Sequence, residues 1–242
     1  MKENMKKKTG LMALAITAYM LVSCTSNVIT GQMVKESREL PSFEGVSLAF
    51  SGNVVITQGS PQRVEIEADQ KTMEIIETRI EDDVLVLKYK NGHWRDLGKV
   101  TVYITMPDIS SLTIAGSGDM FCTNPVKVHE IELSVSGSGS LKMDHLTFHE
   151  IDASITGSGN ISLGGNGDPG ELEARITGSG NLNAGELSVG EAVVNITGSG
   201  SVTVFAVKEL ETNITGSGSV YYKGNPTISA NAVGSGRTKP VN

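Results

Sequence analysis

The stretch "ITGSGNI" at residues 155–161 returns as "ITGSGNL" at 176–182 and as "ITGSGSV" at 196–202 and 214–220. A flexible linker has no reason to keep fixed apolar neighbours around Gly-Ser-Gly, and a phosphate-binding loop would occur once. The first glycine of each tripeptide stands at 116, 137, 157, 178, 198, 216 and 234. The steps between them stay close to a period of about 20 residues, which marks a repeat architecture whose copies stack.

Alignment on that glycine exposes the secondary structure. Two positions before it stand Ile114, Val135, Ile155, Ile176, Ile196, Ile214 and Ala232; four before stand Leu112, Leu133, Ala153, Ala174, Val194 and Thr212. Four positions after it come Met120, Leu141, Ile161, Leu182, Val202, Val220 and Thr238, and six after come Cys122, Met143, Leu163, Ala184, Val204 and Tyr222. Both flanks alternate with period two, so both are strands with one buried face. Two inward-pointing strands must meet at a sharp bend, and glycine turns there because it accepts positive φ and close backbone approach. Gly116, Gly137, Gly157, Gly178, Gly198, Gly216 and Gly234 are therefore the candidate structural corner. The expected fold is all-β: a parallel β-helix with turns of about 20 residues, each rising about 4.8 Å. Right-handed coiling is expected, because parallel crossovers are overwhelmingly of that hand.

Outside the repeats, "VSLAF", "NVVIT", "RVEIEA", "DVLVLKY" and "KVTVYITM" read as strands bounded by Gly, Pro, Asn or Asp. They make 43–110 an amino-terminal strand and hairpin region ahead of the repeats at 111–236. "TMEIIETRI" (72–80) fits a short helix or a strand, and "EDD" (81–83) fits a hairpin turn. An earlier "SGN" carries Gly52, whose separation from Gly116 is close to three repeat intervals, so the coil is expected to begin near residue 46. Residues 237–242 are expected to be a tail.

The start of the chain is of another kind. Lys2, Lys6, Lys7 and Lys8 precede an apolar run from Leu11 to Val22, too short for a permanent helical span of about 20 residues, so 1–23 reads as an export signal. "LVSC" (21–24) resembles the lipobox of bacterial lipoproteins, which implies lipidation of Cys24 and a membrane partner reached through that anchor. Several acyl chains hold firmly, at about 0.8 kcal/mol per buried CH₂. Residues 24–42 follow as the lipidated cysteine and a tether, able to span roughly 55–60 Å when extended. An outer-membrane envelope location is expected. Cys122 is the other cysteine; its column is apolar, and it reads as a buried core thiol.

Without those four lysines and Glu3, 16 of the 20 basic and 26 of the 27 acidic side chains remain, a net charge of −10. That surface repels phosphate backbones and excludes nucleic acid as a partner.

"FEGVSLAFSGNVVITQG", "VLVLKY" and "VYITMPDISSLTIAGSGD", followed by the iterated "ITGSGN/S", together resemble the head GIN domain family of auto-transporter adhesins, known from Bacteroides-type bacteria. The resemblance covers about 43–236. It implies a β-helical domain displayed at the envelope, and it carries no catalytic residues over. No barrel-forming segment follows the repeats in this sequence, so autotransport is not expected.

Chemistry-bearing patterns are sparse. No Gly-Ser-Gly copy opens a helix or carries the Lys-Ser/Thr of a P-loop, and no cofactor is expected. "GGNGD" (164–168) occurs once and reads as a loop insertion ending at Pro169. His145 and His149 of "DHLTFHE" share a strand face about 13 Å apart, too far for one ion, so no metal site is expected. The acids Asp152, Asp168, Glu171, Glu173, Glu186, Glu191, Glu209 and Glu211 lie outside every "ITGSG" and read as solvated connections. A non-catalytic module is expected; the alternative is a glycan-processing enzyme of β-helix fold. The candidate binding stripe is Thr156, Ser158, Thr177, Ser179, Thr197, Ser199, Thr215 and Ser217, a strip of hydroxyls for a glycan or protein ligand. His93 and Trp94 of "KNGHWRDLGK" are a second candidate contact. The polar last rung looks like a weak cap, whose open edge pairing with another copy would protect.

Overall fold

Residues 32–92 and 97–241 are described in the computed structural model, 166–168 by their backbone alone. The leader, Cys24 and the His93–Trp94 loop lie outside the described residues. The described part belongs to one unit, in which period-two alternation becomes strand almost throughout.

Its amino-terminal elements are β1 (Met33–Arg38), β2 (Gly45–Leu48), β3 (Asn53–Gln58), β4 (Arg63–Asp69), α1 (Gln70–Met73), β5 (Ile76–Glu81), β6 (Val84–Tyr89) and β7 (Thr101–Met106). The repeats begin with β8 (Ser111–Ile114), β9 (Asp119–Cys122), β10 (Val126–Lys127), β11 (Glu130–Gly137), β12 (Ser140–Met143), β13 (Leu146–Thr147) and β14 (Glu150–Gly157). Longer strands bend through whole turns: β15 (Asn160–Gly178), β16 (Asn181–Gly198) and β17 (Ser201–Gly216). The stack ends with β18 (Ser219–Lys223), β19 (Thr227–Gly234) and β20 (Arg237–Pro240).

Each strand before a Gly-Ser-Gly pairs in parallel with its counterpart one repeat away, as does each strand after it. The expected parallel β-helix is what forms. Register is set by the glycines: Gly137, Gly157, Gly178, Gly198, Gly216 and Gly234 are successive partners. A one-residue slip would turn every inward Ile or Leu to solvent. Up to the last rung, the four aligned columns are the core, and Leu133, Ala153, Ala174, Val194, Val202 and Val204 have no exposed surface. Thr212 is equally buried, its hydroxyl 2.8 Å from that of Thr238. Cys122 is a core thiol, 3% exposed, and burial pushes its pKa up to about 12.

The beginning of the coil corrects the interval count. Gly52 does not stand three turns below Gly116. β2 and β3 form a single rung, with β8 and β9 directly on one side of it and β6 and β7 on the other. The chain lays that rung, leaves at Gly59, returns to lay β6 and β7 on its far side, and then crosses over to β8. Stacking order and sequence order therefore differ here, which a sequence interval cannot reveal.

The tether reading over 24–42 also fails in part. β1 pairs antiparallel with β4 from Met33↔Asp69 to Arg38↔Val64. An edge strand needs backbone partners more than apolar side chains, so its polar sequence hid it. The tail reading of 237–242 fails for the same reason, because β20 pairs with β18 up to Tyr222↔Pro240. "TMEIIETRI" divides between both readings: α1 ends at Met73 and β5 begins at Ile76. "EDD" turns as expected, with φ of 49° at Asp82 and 60° at Asp83 between antiparallel β5 and β6. The "GGNGD" insertion appears as a register break between Gly165 and Gly170 inside β15.

Candidate functional site: the glycine corner and its polar band

The corner is built from two kinds of glycine. The first of each tripeptide, from Gly137 to Gly234, has φ between +115° and +132°, a region that L side chains rarely enter. Gly116 does not share it. From Gly116 to Gly216, the carbonyl of the first glycine accepts at least one amide of the next rung: that of Gly178 accepts from Ser199 N at 2.8 Å and Gly200 N at 3.1 Å. Sequence reading missed the second glycine's role. A Cβ at Gly139 would lie closer than 3.0 Å both to the Gly118 carbonyl oxygen and to Ile114 Cγ2. Gly159, Gly180, Gly200, Gly218 and Gly236 sit on an Ile or Val of the preceding rung in the same way. One glycine makes the bend, and the other lets the rungs close.

Between and before these glycines the side chains point outward. Thr156, Ser158, Thr177, Ser179, Thr197, Ser199, Thr215 and Ser217 are all exposed, and the threonines stand in register from rung to rung. Among the described residues these eight hydroxyls make no hydrogen bond to a protein partner. Lower on the seam, Ser51 and Ser117 meet, hydroxyl to hydroxyl at 3.3 Å.

The surface is wider than the two columns read from the sequence. Three positions before the first glycine stand Ser134, Ser154, Arg175, Asn195 and Asn213; three after stand Ser140, Asn160, Asn181, Ser201 and Ser219. These columns form ladders. Asn181 Nδ2 donates to Asn160 Oδ1 at 3.1 Å, Asn213 Nδ2 to Asn195 Oδ1 at 3.3 Å, and Ser154 Oγ to Ser134 Oγ at 3.2 Å. Simple alternation outward from the corner would have found them. The band is uncharged except for Arg175, which is forked onto Asp152 and paired with Glu173. Over five rungs it extends roughly 20–25 Å along the stack.

Charge begins beyond the band. Glu130, Glu150, Glu171, Glu191 and Glu209 are successive partners on the outward side of the first face, and Glu132, Asp152, Glu173 and Glu211 stand two residues nearer the corner. These acids lie within strands, not in connections as the sequence suggested, because an outward strand position admits charge without burying it. Asp82, Asp83, Glu130 and Glu132 line one shallow hollow, with Val84, Ser110 and Ser111. His149 stacks on His129 of the neighbouring rung, ring centroids 4.8 Å apart, rather than meeting His145. Parallel stacked rings aim their nitrogen lone pairs side by side and do not converge on one ion. No group of three or more His, Cys, Asp or Glu able to hold a metal occurs among the described residues. On the second face, Tyr103, Val55 and Phe121 form an apolar outward column that the sequence reading did not single out.

Known proteins share this architecture. A putative adhesin from Bacteroides fragilis superposes with a TM-score of 0.79 at 23% identity, over 87% of this chain and 97% of its own. A putative lipid binding protein and a putative adhesin, both from Parabacteroides distasonis, superpose with TM-scores of 0.72 and 0.73 at 22% identity, each over 88% of this chain and 98% of its own. At such identities the likeness concerns the fold. No curated protein matches the sequence. The family described as "Putative auto-transporter adhesin, head GIN domain" matches residues 42–226. That match spans most of the chain, every rung but the last and the glycine corner, and the chain belongs to this family.

Proposed function

We propose that the protein is an envelope lipoprotein, held by a lipidated Cys24, whose β-solenoid acts without catalysis as an adhesion module through its polar band. The observation that carries this reading is the in-register array of exposed and half-buried Thr, Ser and Asn on five consecutive rungs, bordered by the acids of the first face. Hydroxyls and amides repeating about every 4.8 Å offer hydrogen bonds to a glycan or an extended protein segment without selecting for charge. Rigidity supports the role, because a surface already ordered by the stack loses little conformational freedom on binding. Family membership supports it too, since the family is described by adhesion.

The test is glycan-array and pull-down binding with the fragment 25–242. Binding by the unaltered fragment is expected, and its loss when Thr156, Thr177, Thr197 and Thr215 are all changed to Lys. All four are exposed, so the fold should persist. Undiminished binding by that variant would remove the band as the contact surface.

A further inference from the structure

The two ends of the solenoid are finished differently. At the amino-terminal end, antiparallel β5 closes the first face by pairing with β6, and antiparallel β4 and β1 close the second. The strands left outermost carry charge: Lys35, Glu36 and Arg38 on β1, and Glu77, Arg79 and Glu81 on β5. Charges on an edge discourage further pairing. At the carboxy-terminal end β19 pairs with β17 and has no strand on its other side among the described residues. All eight of its residues, "TISANAVG", are exposed, including Ile228, Ala230 and Ala232, whose counterparts Leu210, Thr212 and Ile214 are buried. Among the described residues nothing covers the core at this rung.

β19 also carries no charge, although the strand beneath it presents Glu209 and Glu211 at the positions of Thr227 and Ser229. Its companion β20 is guarded by Arg237, Lys239 and Pro240, and proline removes a donor from the edge. The open half of the rung is thus β19 alone. In an acidic protein of net charge −7, this is where two copies meet without opposing carboxylates.

We infer that β19 pairs antiparallel with β19 of a second copy, about a two-fold axis through Ala230. Antiparallel partners point to the same side of a sheet, so the register must place inward residues on inward ones. Centring on Ala230 sets Ile228 opposite Ala232 of the other copy and Ala230 opposite itself, and continues the core across the junction. Outside, Ser229 faces Asn231 and Thr227 faces Val233. β5 does the same for β6 within the chain; the second copy supplies it at the other end. A two-fold contact is closed, so assembly stops at the dimer.

Charge exchange on the outward side tests this without touching the core. The full chain, purified in mild detergent, is expected to sediment as a dimer. S229K/N231K would place lysines opposite lysines and give a monomer, whereas S229K/N231E would oppose lysine to glutamate and restore the dimer. A230C gives an independent reading, because opposite residues approach within about 4.5–5.5 Å, inside disulfide reach. It should form a disulfide-linked dimer above the unsubstituted chain's background, and S229C should not. An unsubstituted chain that is monomeric at every concentration, one that grows into filaments, or loss of the dimer in both lysine variants would each overturn the proposal. So would cross-linking at S229C instead of A230C.

Discussion

At the scale of single residues, the three positions of each Gly-Ser-Gly have unequal burdens. Gly198 has φ of +128°, and an added Cβ would press on the Gly178 carbonyl. Gly200 has no such φ, yet its Cβ would meet Gly180 O at 2.5 Å and Ile176 Cγ2 at 2.7 Å. Alanine at either is expected to cost about 2–4 kcal/mol in urea unfolding, through strained backbone at the first and overpacking at the second. Ser199→Ala, exposed between them, should stay within about 0.5 kcal/mol. Equal stability of the three variants would refute the division of labour. Cys122 offers a second check. A thiol whose pKa is pushed up to about 12 by burial holds almost no thiolate at neutral pH. Iodoacetamide should modify it only after denaturation, as read by mass spectrometry.

At the scale of elements, the amino-terminal connections show local chemistry shaping the coil's first rungs. Asp82 and Asp83 both take positive φ in a two-residue hairpin, a turn that prefers Asn-Gly. Asp83→Gly should therefore raise stability by about 0.5–1 kcal/mol in thermal or urea melts. Asp69 caps α1. The Thr72 hydroxyl donates to its carboxylate at 2.6 Å and the Thr72 amide at 3.1 Å, holding its pKa below the usual carboxylate range. A depressed native pKa contributes stability that is present above about pH 4 and lost as pH falls through the native value. The deficit of Asp69→Asn should accordingly be largest near neutrality and shrink in acid. A deficit independent of pH would argue against the cap. These elements were only partly legible in the sequence. The hairpin turn was readable from "EDD", but β1 was not, because its partner β4 begins only at Arg63 and asks only for its backbone.

At the scale of the whole molecule, the membrane reading rests on Cys24 and is tested there. Cys24→Ser is expected to move the protein from the membrane to the soluble fraction, and unchanged fractionation would refute the anchor. Among the described residues no helix is long and apolar enough to cross a membrane. The candidate site was half legible. Thr156 to Ser217 could be placed on one strip because a short-period repeat brings equivalent residues together. The amide ladders Asn160–Asn181 and Asn195–Asn213 lie on the same alternation and were within reach of it. The His129–His149 stack was not, because the spacing of His145 and His149 drew attention along one strand and away from the neighbouring rung.

By itself the sequence determined the rung: a short regular period, two inward columns on each side of a glycine, and hence parallel pairing in a register that cannot slip. Each of these follows from repetition, where position in the chain maps directly onto position in space. The tertiary structure alone decided what repetition does not encode. It placed β2 and β3 between rungs that come later in the chain, recruited β1 and β20 as strands, and left β19 open among the described residues. Those outcomes depend on which backbone edges remain unpaired once the stack has formed, and an unpaired edge leaves no mark on the side chains that will cover it.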